Sequence, residues 1–202
     1  MPRVKPERKE KRRRQIVDAA RSCFARQGFH RTTLQDVFAE AGLSAGCVYN
    51  YFQSKDDLIL AIADDRHERE RQALIEGSMA SSPNDALKRT AKYFIDEYLT
   101  EAGEEKRRIA IQTWSEAMLN PSVLGSVRLG FEQPRREIAQ LIRGAQRQGQ
   151  VGADLDADTL ARTMVALFHG FLLQKLWDPE LDVGAYLAVL ERIFSALVPR
   201  GS

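Results

Sequence analysis

Residues 32–55 read TTLQDVFAEAGLSAGCVYNYFQSK, and how this run folds decides the fold of the chain around it. Leu34, Val37, Phe38 and Ala41 recur at i, i+3, i+4 and i+7, which predicts a helix of about two turns with one apolar face. Gly42 ends it. Past Leu43, Ser44 is placed to accept a backbone N–H as the N-cap of a second short helix, whose inward anchors are Val48 and Phe52. A third helix opens at Ser54, where Asp57 three residues on completes a capping box and Leu58 and Ile62 start the next apolar stripe. Helix, glycine turn and helix make a helix-turn-helix layout.

The outer side of the second helix carries the functional information. With Val48 turned inward, Ala45, Gly46, Tyr49 and Asn50 share the opposite face. Small residues there let a helix lie deep in a major groove, and the Asn50 amide offers a donor and an acceptor together to a base edge. Tyr49, Tyr51 and Lys55 are within reach of phosphates. The plainer reading is a helical hairpin with a solvated face. It requires the glycine turn, both caps and both stripes to coincide without purpose.

At these residues a resemblance becomes specific. LSAGCVYNYFQSKDDL, residues 43–58, resembles the recognition-helix signature of the TetR family of one-component bacterial transcriptional regulators. In that family a small-Gly pair, a Tyr, an aromatic pair and a Ser-Lys follow one another at this spacing. Here they are Ala45-Gly46, Tyr49, Tyr51-Phe52 and Ser54-Lys55, preceded by the Thr32-Thr33 pair that opens the scanning helix. Cys47 departs from the pattern, since a Thr, Ala or Ser is more usual there, so the departure bears on the base contacts. The resemblance implies a DNA-binding set of Thr32, Thr33, Ser44, Ala45, Gly46, Cys47, Tyr49, Asn50, Tyr51 and Lys55. Within it Thr33, Tyr49, Tyr51 and Lys55 would hold phosphates, and Ser44, Ala45, Cys47 and Asn50 would approach bases.

Charge is distributed as that reading requires. The 202 residues carry a net charge of +2, but residues 1–55 hold +7 and the remainder −5. A basic segment coinciding with the motif is the electrostatic footprint of a nucleic-acid reader. A hydrophobic share of 44% with 29% charged residues is that of a folded globular protein. Cys23 and Cys47 are the only cysteines and imply no disulfide framework, which fits the reducing cytoplasm. No apolar run is long enough to span a bilayer, and the basic N-terminus lacks the apolar stretch of a signal peptide.

Outside the motif the chain reads as helix throughout. Residues 1–14 form a basic arm of eight basic and two acidic side chains, with Pro2 and Pro6 set against early helix; a helix is expected from about Lys9 to Gln27. A charged helix follows from Lys55 to about Glu76, and residues 77–83, GSMASSP, read as a connecting loop. Asn84 is expected to cap the next helix. Further helices are expected over residues 104–119, 122–148 (with Pro134 inside), 156–177 and 182–197, about nine in all. The last two are apolar over more than one stripe, which points to burial on two sides, inside a domain and against a second chain. The resemblance agrees, because in TetR-like proteins the last two helices form a four-helix dimer bundle. The terminal LVPRGS, residues 197–202, matches a protease-cleavage linker of the kind added for expression and is set aside.

The expected architecture is therefore all-α: a basic arm and helix-turn-helix DNA-binding domain over residues 1–54, then a larger helical effector-binding and dimerisation domain over residues 55–196. Phe94, Tyr98, Trp114, Met118, Phe131, Phe168 and His169 are candidates to line an effector cavity, although rings at helical spacing also make ordinary core. The partners implied are a palindromic DNA operator, a small-molecule effector and a second copy of the chain, with no membrane. No metal cluster, cofactor or catalytic centre is expected. Gly42-Leu43-Ser44-Ala45-Gly46 matches the G-x-S-x-G elbow of serine hydrolases, but an elbow must follow a strand, and this run follows an amphipathic helix. A helical ligand-binding or scaffolding protein without DNA function is the other alternative. The residues leave effector, operator and regulated genes open, and with them repression versus activation and any redox role of Cys47.

Overall fold

The computed structural model describes residues 6–195; the first five residues of the basic arm and the terminal linker lie outside them. Nine α-helices and one 3-10 turn make up the described residues, with no strand among them. In chain order they are α1 (Pro6–Gln27), α2 (Leu34–Ala41), α3 (Ala45–Tyr49), α4 (Lys55–Ser78) and α5 (Pro83–Tyr98), then the 3-10 turn Glu101–Gly103. They are followed by α6 (Glu104–Ala117), α7 (Pro121–Arg147), α8 (Ala157–Trp177) and α9 (Val183–Ser195). The chain divides into two compact units. One runs to His67 and resumes over Arg108–Arg128; the other takes Glu68–Arg107 and resumes from Leu129.

In the first unit, Ile16, Val17, Ala20, Cys23 and Phe24 of α1 are buried, together with Phe29, Val37, Ala41, Val48, Phe52, Leu58, Ile59 and Ile62. Phe24 and Phe29 meet edge to face, with ring centroids 4.7 Å apart. Local chemistry sets the element ends. Thr33 caps α2 by accepting from the Asp36 N–H, and the Asp36 carboxylate accepts from the Thr33 N–H at 2.8 Å. Those bonds, the backbone one foremost, hold the Asp36 carboxyl below its usual range. Gly42 ends α2 at φ +63°, a left-handed conformation in which its N–H returns to α2 carbonyls. Ser44 caps α3 through the Cys47 N–H, and the expected Ser54–Asp57 capping box opens α4, with bonds of 3.0 and 3.1 Å.

The second unit has its own core. Ile138, Ala139 and Ile142 of α7 pack with Ala157 and Ala161 of α8, flanked by Leu87, Val151, Leu160, Met164 and Val165. Phe171 of α8 stacks on Tyr186 of α9 at 3.8 Å, and the Tyr186 hydroxyl donates to the Leu167 carbonyl at 3.0 Å. Asp156 caps α8 by accepting from the Thr159 N–H at 2.8 Å.

Three local expectations give way. Helix α1 starts at Pro6, because proline lacks only an N–H that a first-turn residue leaves unpaired anyway, so most of the basic arm is helical. Helix α4 continues through Gly77 to Ser78. Gly77 is buried in it, and a Cβ there would stand 2.8 Å from Thr90 Oγ1, so this glycine serves close packing and not a loop. The α5 cap is Ser82, which accepts from the Asp85 N–H with Pro83 in the first turn, leaving Asn84 inside the helix.

Candidate nucleic-acid interface

The second helix of the motif is short, and its two sides differ as sequence predicts. Val48 is fully buried and Phe52 nearly so, while Ser44, Ala45, Gly46, Tyr49 and Asn50 are exposed and Cys47 and Tyr51 half-buried. A Cβ added at Gly46 would meet nothing within 4 Å, so a duplex can approach the backbone there. Tyr49 leans its ring edge on Phe38 at 5.4 Å, which fixes the phenol while 42% of the residue stays exposed. No side-chain hydrogen bond ties the Asn50 amide to another described residue, and the residue is exposed, so its donor and acceptor are available to a ligand.

Other members of the expected set are spent inside the protein. Thr32 is 2% exposed and its hydroxyl donates to the Gly28 carbonyl at 2.7 Å, so its side chain closes the turn before α2 and is not presented at the surface, contrary to expectation. Thr33 is exposed, but its hydroxyl is shared with Asp36 as the cap of α2. The Lys55 ammonium donates to the Phe29 carbonyl at 2.7 Å, which ties the start of α4 to the turn between α1 and α2 and leaves other protons of that ammonium available. Ser44, the would-be nucleophile of an elbow, follows α2 and not a strand, and its oxygen caps α3.

Two positioning residues escape sequence reasoning. Gln112 of α6 accepts from the Phe29 N–H at 2.7 Å and donates to the Phe24 carbonyl at 3.2 Å, so a residue some eighty positions away clamps the turn that Lys55 holds through the Phe29 carbonyl. Gln15 of α1 donates to the Ala41 carbonyl at 2.7 Å and satisfies an end group of α2. A glutamine on a helix carries no signal of such a partner. Nearby, the Arg13 guanidinium lies 5.9 Å from the Phe52 ring centroid and pairs with Asp65.

Of the expected effector residues, five come together in the second unit. Phe94 lies 5.4 Å from Phe168 and 6.3 Å from Tyr98; Phe168 is 5.7 Å from His169, whose ring is 4.5 Å from Phe131. The buried Tyr98 hydroxyl donates to the buried Glu70 carboxylate at 2.5 Å. Trp114 and Met118 fall in the first unit, and Met118 is 78% exposed, which is not the state of a cavity-lining side chain.

Comparison with known proteins gives two matched stretches. Residues 16–62 match the model for bacterial regulatory proteins of the tetR family, and residues 87–199 match the C-terminal part of the BetI-type transcriptional repressors. The transcriptional regulator UidR of Escherichia coli K12 is 26% identical over 162 residues, 79% of each chain. A transcriptional regulator from Saccharomonospora viridis in complex with choline superposes with a TM-score of 0.81 at 26% identity, covering 95% of this chain and all of that one. SmeT, repressor of a Stenotrophomonas maltophilia multidrug efflux pump, in complex with triclosan gives 0.78 at 25% identity, covering 94% and 93%. With the bare α3 face, the caps that present it and these matches over most of its length, the chain belongs to the tetR family of bacterial regulatory proteins, helix-turn-helix regulators that bind DNA to control transcription.

Proposed function

We propose that this regulator represses transcription as a homodimer on a palindromic operator and is released by a small molecule bound in its larger domain. The division of labour follows the sequence, with residues 1–54 reading DNA in the cytoplasm and residues 55–196 binding effector and partner. One observation carries the reading: the exposed side of α3, where Ala45, Gly46 and Asn50 leave room and a bidentate amide for a base edge. Dimerisation through α8 and α9 is supported by Trp177, Val189 and Ile193, large apolar side chains that are 73%, 56% and 48% exposed in the single chain. Paired recognition helices must match half-sites about one turn of DNA apart or a multiple of it. A ligand that prefers a mismatched spacing lowers DNA affinity, and about 1 to 3 kcal/mol of coupling suffices.

The rings around Phe168 fit a compact effector with an aromatic or cationic head, the two chemistries of triclosan and choline in the related complexes. The test is selection of bound sequences from a random duplex library, followed by Asn50→Ala. A palindrome should emerge, and the variant should lose about 1 to 3 kcal/mol of discrimination at one base pair per half-site while keeping its affinity for random duplex. Equal loss on both DNAs, or a library with no enriched sequence, overturns the reading. Choline and triclosan, added to the operator complex in turn, sort the effector class by which one releases it.

A further inference from the structure

The first ten described residues of α1, residues 6–15, include none that is buried; Ile16 is the first to enter the core. These nearly three turns project about 15 Å at the helical rise of about 1.5 Å per residue. They hold six basic and two acidic side chains. Nothing in the fold uses that charge fully. Arg13 pairs with Asp65 and Arg14 with Glu10, but no described carboxylate lies in ion-pair range of Arg8, Lys11 or Arg12, and Arg12 reaches only Gln15, at 2.9 Å.

Direction matters as much as charge. Gln15 is bonded to Ala41, the last residue of α2, immediately before the Gly42 turn that delivers α3. Arg12, Lys11 and Arg8 precede Gln15 by three, four and seven positions, so they lie on the helix ridge that leads back from this bond. We infer that Arg8, Lys11 and Arg12 form a helical phosphate clamp that runs beside the recognition turn and holds the DNA backbone flanking the bases read by α3. The partner is the phosphodiester chain itself, so the contribution is independent of sequence: it anchors and orients the duplex and adds counterion release to every encounter. A free basic helix end of this kind also gains order on binding, since an unpacked helix terminus is marginal by itself.

This inference rests on the DNA-binding reading but fails separately from it. The triple variant Arg8→Gln, Lys11→Gln, Arg12→Gln keeps good helix formers at each position, and its circular dichroism and melting should match the parent. A charge-matched control, Lys88→Gln with Arg89→Gln and Lys92→Gln, removes three exposed basic residues from α5. Affinity for the selected operator and for random duplex is measured from 50 to 200 mM NaCl. For the homodimer the triple variant should flatten the log–log salt slope by about 5.4, about 0.9 for each of three phosphate contacts in each of two protomers, equally on both DNAs, and the control should leave it unchanged. A slope within about 0.9 of the parent, a loss confined to the operator, or an equal loss in the control overturns the clamp. A parent that selects no operator while the triple variant still loses slope would sink the repressor reading and spare the clamp.

Discussion

Lys55 illustrates what a single residue can and cannot disclose before its neighbours are known. As a lysine at the end of a helix-turn-helix motif it reads as a phosphate contact, yet its ammonium donates to the Phe29 carbonyl, a partner 26 positions earlier. Lys55→Ala is therefore expected to do two things: weaken binding to all duplexes, and lower stability by about 1.5 to 3 kcal/mol in urea unfolding, the range for a hydrogen bond to a charged group. A variant that binds less tightly but unfolds at the parent's urea midpoint would restrict Lys55 to the DNA. Thr32 makes the same point more sharply, since a hydroxyl beside a recognition motif and a hydroxyl closing a buried turn are identical in sequence. What is legible for Gly46, Tyr49 and Asn50 is their exposure. Amphipathic periodicity alone assigns them to the side away from Val48.

Elements were legible where their ends are decided within four residues. The Ser44 cap, the Gly42 stop and the Ser54–Asp57 box all act locally, and each stands where the sequence puts it. The Gly42 stop can be tested cleanly. Its φ is +63° and a Cβ there would touch nothing within 4 Å, so Gly42→Ala meets conformational strain without any clash. The expected cost is about 1 to 2 kcal/mol, read as a lower melting temperature with unaltered helix content. No change would mean that the turn relaxes to another conformation. What sequence misplaced depends on distant partners. Gly77 reads as a linker in the sequence because its packing against Thr90 lies across two helices, and Gln112 gives no sign of clamping the turn after α1 because that turn is far away in the chain. The aromatic cluster shows both sides: periodicity brought Phe94, Tyr98 and Phe168 to inward faces, whereas Met118 follows the end of α6 and turns outward.

At the scale of the whole molecule, stability should respond to pH through His67. Burial, reinforced by the Arg66 charge, lowers its pKa to about 4, and the Arg66 guanidinium donates to its Nε2 at 2.9 Å, which requires that nitrogen unprotonated. The unfolded chain therefore takes up this proton first, near pH 6.5, and the folded chain only near pH 4. The associated stability is complete above pH 6.5 and is lost as pH falls towards 4, by up to about 3 kcal/mol. His67→Gln, whose amide oxygen can still accept from Arg66, should lose less over that window in parallel urea titrations; identical pH profiles would exclude His67 as the cause. The proposed assembly through α8 and α9 is the other whole-molecule property, and its support is surplus apolar surface. Val189 and Ile193 stand one turn apart on α9 and are about half exposed, although a helix facing water on that side has no use for them. Placing a charge inside a covered apolar contact costs several kcal/mol, while on a solvated face it costs almost nothing. Ile193→Glu is therefore expected to halve the mass measured by light scattering without lowering the melting temperature of the separated chain's first unit. It should also reduce operator affinity far more than affinity for a single half-site, because only the paired form presents two copies of α3 at a fixed spacing. A variant that stays dimeric would move the contact off this face of α9, and one that separates yet holds the full operator as tightly as the parent would show that pairing is not what the operator reads.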